Sequence, residues 1–150
     1  MTDPLFKAIS LGDIALANRI AMSPMTRDRA GEDDVPNQMM VDYYRQRASA
    51  GLIVTEGVQP SAVGKGYWRT PGIWSDAQIE GWARVADAVH AEGGKIVMQI
   101  MHCGRVVVAA NRGYEADVIA PSALPCPDKV PGPAGVPVET AAPRALDAAE

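Results

Sequence analysis

The sequence is poor in residues that build covalent or metal-linked scaffolds. It has 2 cysteines and 2 histidines in 150 residues, and the adjacent His102 and Cys103 would face opposite sides of a strand. We therefore expect neither a disulfide framework nor a metal site. The 14 lysines and arginines are outnumbered by 18 acidic residues, and no basic cluster offsets the net charge of −4. This balance disfavours nucleic acid and anionic membrane surfaces as partners.

Long apolar runs are also lacking. No stretch approaches the roughly 18 to 20 apolar residues of a membrane-spanning helix, and Asp3, Pro4 and Lys7 interrupt the N-terminus, unlike a signal peptide. The 47% hydrophobic and 21% charged content is ordinary for a globular chain. We expect a cytoplasmic protein that binds neither a membrane nor nucleic acid.

Short apolar runs alternate with longer helical patterns from residue 18 to about residue 102. Such alternation is typical of βαβ units and a parallel sheet, and thus of an α/β fold. The predicted strands cover residues 20–22, 52–55 and 95–101. The first predicted helix is capped by Asn37, carries Met40, Val41, Tyr43, Tyr44 and Ala48, and stops at Gly51. The second begins with a capping box of Ser75 and Gln78, has an apolar stripe at Ile79, Trp82, Ala83, Ala86 and Val89, and ends at Gly93 and Gly94.

Both ends of the sequence differ from this middle region. Residues 1–17 predict a hairpin around Gly12 and Asp13 that caps one end of a barrel. Residues 103–146 hold seven of the 12 prolines and little periodicity, which indicates either a long ordered loop or a flexible excursion. Residues 147–150 have the pattern of a helix start, with Asp147 and Glu150 spaced as a capping box.

Gln99 interrupts a strand whose other residues indicate burial. Its side-chain amide carries a donor beside an acceptor, and burying such a group unpaired costs about 1 to 3 kcal/mol. We therefore predict a ligand edge with the complementary pair of groups, such as N3–H and O2 of a flavin pyrimidine. Parallel α/β folds bind ligands at the carboxyl ends of strands. Those ends carry polar or small residues here: Ser23 to Arg27, Thr55 to Gly57, and Gln99 followed by His102 to Arg105.

These segments resemble the N-terminal part of the old yellow enzyme family of flavin-dependent ene-reductases. The resemblance covers about residues 5–121. Its motifs are Asn18-Arg19-Ile20, Ser23-Pro24-Met25-Thr26-Arg27, Tyr44-Arg45-Gln46-Arg47-Ala48, Glu56-Gly57, Gly66-Tyr67, Pro71-Gly72-Ile73-Trp74-Ser75 and the segment from Gln99 to Arg105. It implies a (β/α)8 TIM barrel, of which this chain supplies an N-terminal hairpin and about the first three βα units. Residues 1–150 would then be the N-terminal part of a single domain.

The resemblance also implies a bound FMN, with NADH or NADPH as reductant. The implied cofactor-binding residues are Ser23, Pro24, Met25, Thr26, Gly57 and Gln99. The Thr26 hydroxyl would lie against the flavin C4 carbonyl, and the missing side chain of Gly57 would let the backbone approach the ring. Tyr67 and Met101 would line the substrate pocket. Many relatives have tryptophan where this chain has Met101, and a flexible thioether should open the pocket or change substrate orientation.

No catalytic residue is expected on this chain. The family's carbonyl-binding His/His or His/Asn pair and its proton-donating tyrosine lie on later strands, which are expected beyond Glu150. An open sheet of three strands exposes unpaired backbone at both edges, whereas a barrel of eight strands spans about 250 residues. We therefore expect a second polypeptide with the remaining strands to complete the barrel.

The leading hypothesis is part of an oxidoreductase that reduces activated C=C bonds of α,β-unsaturated carbonyl or nitro compounds, such as an enal, enone, maleimide or nitroalkene. One alternative is a non-catalytic half-barrel that acts as an interaction or regulatory module. Another is a proteolytic or engineered fragment. His102 is either a structural histidine or a pocket residue, and Arg27 and Arg105 either neighbour the flavin or tie loops together. For Trp74 and Trp82 the structural interpretation is favoured.

Overall fold

Two helices alternate with the three strands of a parallel sheet, and this unit lies between a hairpin and a proline-rich segment. The computed structural model describes residues 3–148. In chain order the elements are β1 (Ile9–Leu11), β2 (Ile14–Leu16), β3 (Ala21–Met22), α1 (Gln38–Arg45), β4 (Leu52–Val58), α2 (Asp76–Ala91), β5 (Ile96–Ile100), α3 (Ala109–Arg112), β6 (Ile119–Ala120), β7 (Val130–Pro131), β8 (Pro137–Val138) and β9 (Arg144–Ala145).

The central sheet follows the order of the chain. Strands β3, β4 and β5 are neighbours in that order, and both pairings are parallel. Helix α1 connects β3 to β4, and α2 connects β4 to β5. Because the strands run the same way, their carboxyl ends lie along one edge, where the predicted site residues follow them.

The hairpin of β1 and β2 lies where the apolar pattern predicts it. Leu11 pairs with Ile14, so Gly12 and Asp13 form the turn, and Gly12 has a φ of 56°. This left-handed conformation favours glycine. Leu16 is buried, whereas Leu11 is 56% exposed. The role of the hairpin as a barrel plug stays a prediction.

Helix α1 begins where the sequence predicts and ends earlier. The Asn37 side chain accepts a hydrogen bond from the backbone N–H of Met40 at 3.2 Å, which confirms the N-cap. The prediction that the helix continues to Gly51 is wrong, since α1 ends at Arg45. Beyond that point backbone bonds such as Arg47 N–H to Tyr44 O span only three residues and close tighter turns.

The start of α2 confirms the predicted capping box. The Ser75 hydroxyl accepts the backbone N–H of Gln78 at 3.4 Å, and the Gln78 side-chain oxygen accepts the Ser75 N–H at 3.2 Å. The Gln78 side-chain oxygen also accepts the Trp74 N–H at 2.9 Å, and its amide nitrogen donates to Asp33 O at 2.8 Å. Gln78 is fully buried, so its amide satisfies three groups around the first turn of the helix.

The apolar stripe predicted for α2 is partly wrong. Trp82 and Val89 are buried as expected, but Ile79 is 50% exposed and Ala83 is also exposed. The buried face is completed by Val85 instead. At about 100° per residue, Ile79 lies roughly a quarter turn from the centre of that face. Among the described residues, the face of α2 that packs on α1 and the sheet is thus narrower than the apolar stripe.

Strand β4 is longer than predicted. It continues through Glu56 and Gly57 to Val58, whereas the sequence places its end at residue 55. The predicted end is wrong because the polar residues Thr55 and Glu56 can be buried inside the strand. The Thr55 hydroxyl donates to Glu56 O, and the Glu56 carboxylate accepts the Tyr44 hydroxyl. Val54 pairs with Val97 and Gly57 with Gln99, so β4 carries one more residue than β5 between these pairs. This is a bulge, a feature that redirects side chains next to functional sites.

The proline-rich segment contains short strands. Strand β6 pairs with β9 in parallel, and β7 pairs with β8 in an antiparallel hairpin. The choice between a long ordered loop and a flexible excursion stays open. The helix start predicted at residues 147–150 extends to Ala149 and Glu150, which lie outside the described residues. Within residues 3–148 no helix has the length and apolar character needed to cross a membrane.

Candidate functional site

The segment after β3 carries four of the predicted cofactor-binding residues. Residues 23–27 have no regular secondary structure, and Ser23, Pro24, Met25 and Thr26 are all exposed, Met25 by 43%. Their backbone and side chains lie at the carboxyl edge of the sheet. The segment is therefore open to a ligand rather than packed into the core.

Gly57, Gln99 and Met101 are brought together at the same edge. Gly57 pairs with Gln99 across β4 and β5, and the Met101 N–H donates to Val58 O at 2.9 Å. The Met101 side chain lies over Gly57, so that a Cβ at this position would overlap its thioether. The backbone of Gly57 is thus covered by a flexible side chain.

The side chain of Gln99 is the unpaired polar group of this edge. Its backbone N–H donates to the Thr55 hydroxyl at 3.0 Å, and that hydroxyl donates to Glu56 O at 2.8 Å. Across residues 3–148 the side-chain amide of Gln99 has no hydrogen-bond partner. Among residues 3–148 β5 is not fully buried as expected, because it pairs with β4 alone and Ile100 is 57% exposed. The amide is half-buried and available to a ligand.

A buried carboxyl group, that of Glu56, lies next to this edge. The sequence analysis included Glu56 in a motif but predicted no role for it. Glu56 is 1% exposed. Its carboxylate accepts the backbone N–H of Arg27 at 3.3 Å and the Tyr44 hydroxyl at 3.2 Å, while its own N–H donates to the Tyr44 oxygen at 2.9 Å. Burial raises the pKa of Glu56, and burial together with the neighbouring carboxylate raises the pKa of Tyr44. The bulge in β4 could not be read from the sequence, so neither could this arrangement.

Tyr67 lies on the connection between β4 and α2 and is half-buried. Burial, with the nearby thiols of Cys103 and Cys126, raises its pKa. A proton is thus retained on the hydroxyl, which can donate a hydrogen bond. A substrate pocket lined by both Tyr67 and Met101 stays a prediction.

The connection that carries Tyr67 is anchored by a buried ion pair that the sequence analysis missed. Lys65 and Asp34 are each 5% exposed in their side chains and are separated by 2.5 Å. Lys65 also donates to Arg112 O at 2.9 Å, and Arg112 Nε donates to Lys65 O at 3.0 Å. A cavity of about 350 Å³ adjoins this pair and is lined by none of the predicted ligand-binding residues. The residues are far apart in sequence and form no motif.

Arg27, Arg105 and His102, for which the sequence left both a structural and a ligand-binding role open, each contact other residues of the chain. The Arg105 guanidinium donates to Leu124 O and Pro125 O at 3.4 and 3.3 Å, which favours the loop-tying role. The guanidinium of Arg27 lies 5.5 Å from the centre of the Tyr43 ring. The His102 imidazole accepts the Gly104 N–H at Nδ1 over 3.0 Å, and partial desolvation together with the Arg112 charge lowers its pKa.

The two tryptophans have structural contacts. The Trp82 indole donates to Gly72 O at 3.1 Å from within the core. Trp74 packs edge-on against Tyr114, with ring centres 6.5 Å apart. Trp82 thus belongs to the core, as expected, whereas Trp74 is 43% exposed and its structural role stays a prediction. Among residues 3–148 there is no group of three or more histidine, cysteine or acidic side chains placed to hold a metal ion.

The residues of this edge fit a planar heteroaromatic group with an amide-like rim. Gln99 offers an unpaired donor and acceptor, the Gly57 backbone is covered only by the flexible Met101 side chain, and residues 23–26 present backbone groups and two hydroxyls. A model of the NADH:flavin oxidoreductase / NADH oxidase family matches residues 4–144 of the sequence. The chain belongs to this family.

Named relatives and solved structures agree with the family. The chain is 44% identical over 135 residues to chanoclavine-I aldehyde reductase fgaOx3 of Penicillium roqueforti, covering 86% of this chain and 36% of that protein. It is 40% identical over 125 residues to a probable flavin mononucleotide-dependent alkene reductase of Leishmania infantum, covering 81% and 33%. The old yellow enzyme homologue of Zymomonas mobilis superimposes with a TM-score of 0.89 at 42% identity, over 98% of this chain and 41% of that one.

The resemblance to the N-terminal part of the old yellow enzymes is thus confirmed. The chain spans about a third of the length of these curated relatives, 36% and 33%, and it matches part of a TIM barrel. The prediction of FMN with a nicotinamide reductant is confirmed at the level of the family, whose description joins NADH to flavin.

Proposed function

We propose that this chain forms the flavin-binding edge of an FMN-dependent ene-reductase. When FMN is bound, a hydride taken from NADH or NADPH is delivered to the β-carbon of an activated alkene. The alkenes proposed are α,β-unsaturated carbonyl or nitro compounds. The observation that carries the proposal is the unpaired Gln99 amide beside the side-chain-free Gly57 in a chain of the flavin oxidoreductase family.

The chain's own residues would bind and orient the cofactor. Gln99 would pair with the pyrimidine edge, and residues 23–25 would give backbone contacts. The Thr26 hydroxyl would donate to the C4 carbonyl and stabilise the negative charge that builds there. Tyr67 and Met101 would limit the space for the substrate. The carbonyl-binding pair and the proton donor would come from residues outside this sequence.

The visible spectrum of the purified protein tests the cofactor. We expect the yellow absorbance of oxidised flavin, which NADH or NADPH should bleach and which maleimide or an enone should restore. Gln99→Leu should weaken FMN binding at least tenfold, because it removes both polar groups of the amide. Gln38→Leu, at an exposed position on α1, is the matched control and should bind FMN normally. A colourless protein that takes up no FMN, even with its barrel completed, contradicts the proposal.

The sheet edges support a second part of the proposal, that further strands complete a barrel. Within residues 3–148, β3 and β5 each pair on one side only. Ile100 is 57% exposed on β5 and Ile79 is 50% exposed on α2. Adjacent βα units of a barrel would cover both the strand edge and the helix face. We propose that a second polypeptide carries these units; a continuation of the same polypeptide would cover the same surfaces.

Native mass spectrometry of the gently purified protein separates these cases. A complex of this chain with a partner of about the size of the missing barrel, together with one FMN, supports the second polypeptide. A single longer polypeptide with one FMN shows that the barrel is continuous. A lone, flavin-free species of 15.9 kDa favours a non-catalytic half-barrel instead. We also propose a cytoplasmic location, since Cys103 and Cys126 are free thiols, and cell fractionation tests it.

A further inference from the structure

Glu56 is a buried acid whose position calls for a reason. It is 1% exposed within β4, and it lies in the bulge between the pairs Val54 with Val97 and Gly57 with Gln99. Burying a carboxyl group is costly unless hydrogen bonds compensate. An apolar side chain would fill the same space at lower cost, so the purpose of the carboxyl group lies in its partners.

One of those partners belongs to the predicted flavin-binding segment. The Arg27 backbone N–H donates to Glu56 Oε2 at 3.3 Å. Among the described residues this is the single hydrogen bond that joins residues 23–28 to another element; the Arg29 guanidinium bonds to Arg27 O and Asp28 O stay within the neighbouring segment. The position of Thr26 at the sheet edge therefore depends on the hydrogen bond between the Arg27 N–H and Glu56.

The other partner fixes the carboxyl group itself. The Tyr44 hydroxyl donates to Glu56 Oε1 at 3.2 Å and accepts the Glu56 N–H at 2.9 Å. Tyr44 is fully buried between α1 and the sheet, with its ring 5.9 Å from that of Trp82. Two bonds to one rigid residue hold both the backbone and the carboxylate of Glu56. The chain of contacts runs from α1 through β4 to the segment after β3.

We propose that Glu56 is a positioning residue that holds residues 23–27 where Thr26 meets the flavin, and that Tyr44 fixes the carboxyl group for this task. The inference rests on the proposed function, because it takes residues 23–26 as the flavin contact. Glu56 itself need not touch the cofactor. It acts through the Arg27 N–H.

Hydrogen exchange of the protein as purified tests the positioning without relying on activity. Glu56→Met keeps the side-chain volume and removes the acceptor, and we expect the backbone amide of Arg27, which donates to Glu56, to exchange at least tenfold faster. Glu56→Gln retains an acceptor oxygen and should restore most of the protection. Tyr44→Phe, which removes one of the two supports of the carboxylate, should give an intermediate increase. Tyr43→Phe is the matched control on the same helix and should exchange like the wild type.

The FMN-loaded protein gives the functional readout. Glu56→Met should weaken FMN binding at least tenfold and shift the midpoint potential of the bound flavin, with Glu56→Gln close to wild type in both. Unchanged exchange, FMN affinity and potential in Glu56→Met would overturn the inference. If Glu56→Met fails to fold, Tyr44→Phe decides: faster exchange supports the inference, and wild-type exchange overturns it. A wild-type protein that binds no FMN refutes the proposed function, while the exchange experiment still reports on Glu56.

Discussion

Replacing Lys65 by methionine should destabilise the protein far more than an ordinary loss of a salt bridge. The Lys65 ammonium lies 2.5 Å from Asp34 and donates to Arg112 O at 2.9 Å. Methionine keeps most of the apolar stem but leaves the carboxylate without its counter-ion. Asp34 is only 3% exposed, so water cannot replace the ammonium group.

The size of the stability loss depends on the hydrogen bonds that Asp34 keeps when the ammonium group is removed. Removing one partner of a buried ion pair costs about 3 to 5 kcal/mol. The Gln59 amide still donates to Asp34 at 2.9 Å and the Tyr114 hydroxyl at 3.3 Å, and each such bond contributes about 1 kcal/mol. We therefore expect the lower end of the range, a loss of about 3 kcal/mol in the free energy of unfolding.

The pH dependence gives a second signature. Burial raises the pKa of Asp34 even with Lys65 present, and loss of the ammonium group should raise it further. An acid with a higher pKa in the folded than in the unfolded state binds more protons when folded, so stability falls as the pH rises through that interval. The loss caused by Lys65→Met should thus be large at neutral pH and smaller near the ordinary aspartate pKa.

Urea unfolding of the purified protein, followed by tryptophan fluorescence, measures both effects. The matched control is Lys129→Met, which breaks an exposed pair: the Lys129 and Glu139 side chains are 59% and 76% exposed and 3.4 Å apart. The control should cost less than about 1 kcal/mol. Adding Asp34→Asn to Lys65→Met removes the orphaned charge and should recover part of the loss. Equal effects of Lys65→Met and Lys129→Met would refute the reasoning.

Three further predictions concern the sheet edge and α2. Gly57→Ala forces the Met101 side chain aside and should weaken FMN binding in a fluorescence titration; adding Met101→Ala should restore thermal stability but not FMN affinity, and recovery of both would mean that Gly57 serves packing alone. Met101→Trp should raise the KM for bulky enones while FMN affinity is unchanged, and equal KM values for small and bulky enones would contradict a pocket role. Ser75→Ala removes the hydroxyl that caps α2 and should lower the free energy of unfolding by about 1 kcal/mol; no change in urea unfolding would show that the cap is dispensable.

The sequence predicted structure correctly where one side chain hydrogen-bonds to a backbone group a few residues away. Asn37 and Ser75 both cap helices as the sequence indicates, because a cap involves residues only three positions apart. The turn at Gly12 is equally local, since only its own backbone conformation is required. The motifs of the sheet edge likewise identified the family, since their order and spacing are properties of the chain.

The sequence did not predict features that depend on how the elements pack against one another. Ile79 matches the helical period but is exposed, because the face of α2 that is buried depends on where α1 and β5 lie. The length of β4 was underestimated because Glu56 looks like a strand end until Tyr44 and Arg27 supply its hydrogen bonds.

The sequence by itself determined the parallel α/β pattern, the helix caps and the family, because each depends on residue types at short or fixed separations along the chain. It also singled out Gln99, whose polarity conflicts with its neighbours. Only the tertiary structure decided that the Glu56 carboxylate accepts the Arg27 N–H and that Lys65 pairs with Asp34. These partners are 29 and 31 residues apart in the chain. Their contacts exist only once the sheet and its connections have brought the buried charges together, where the low exposure makes each unpaired group costly.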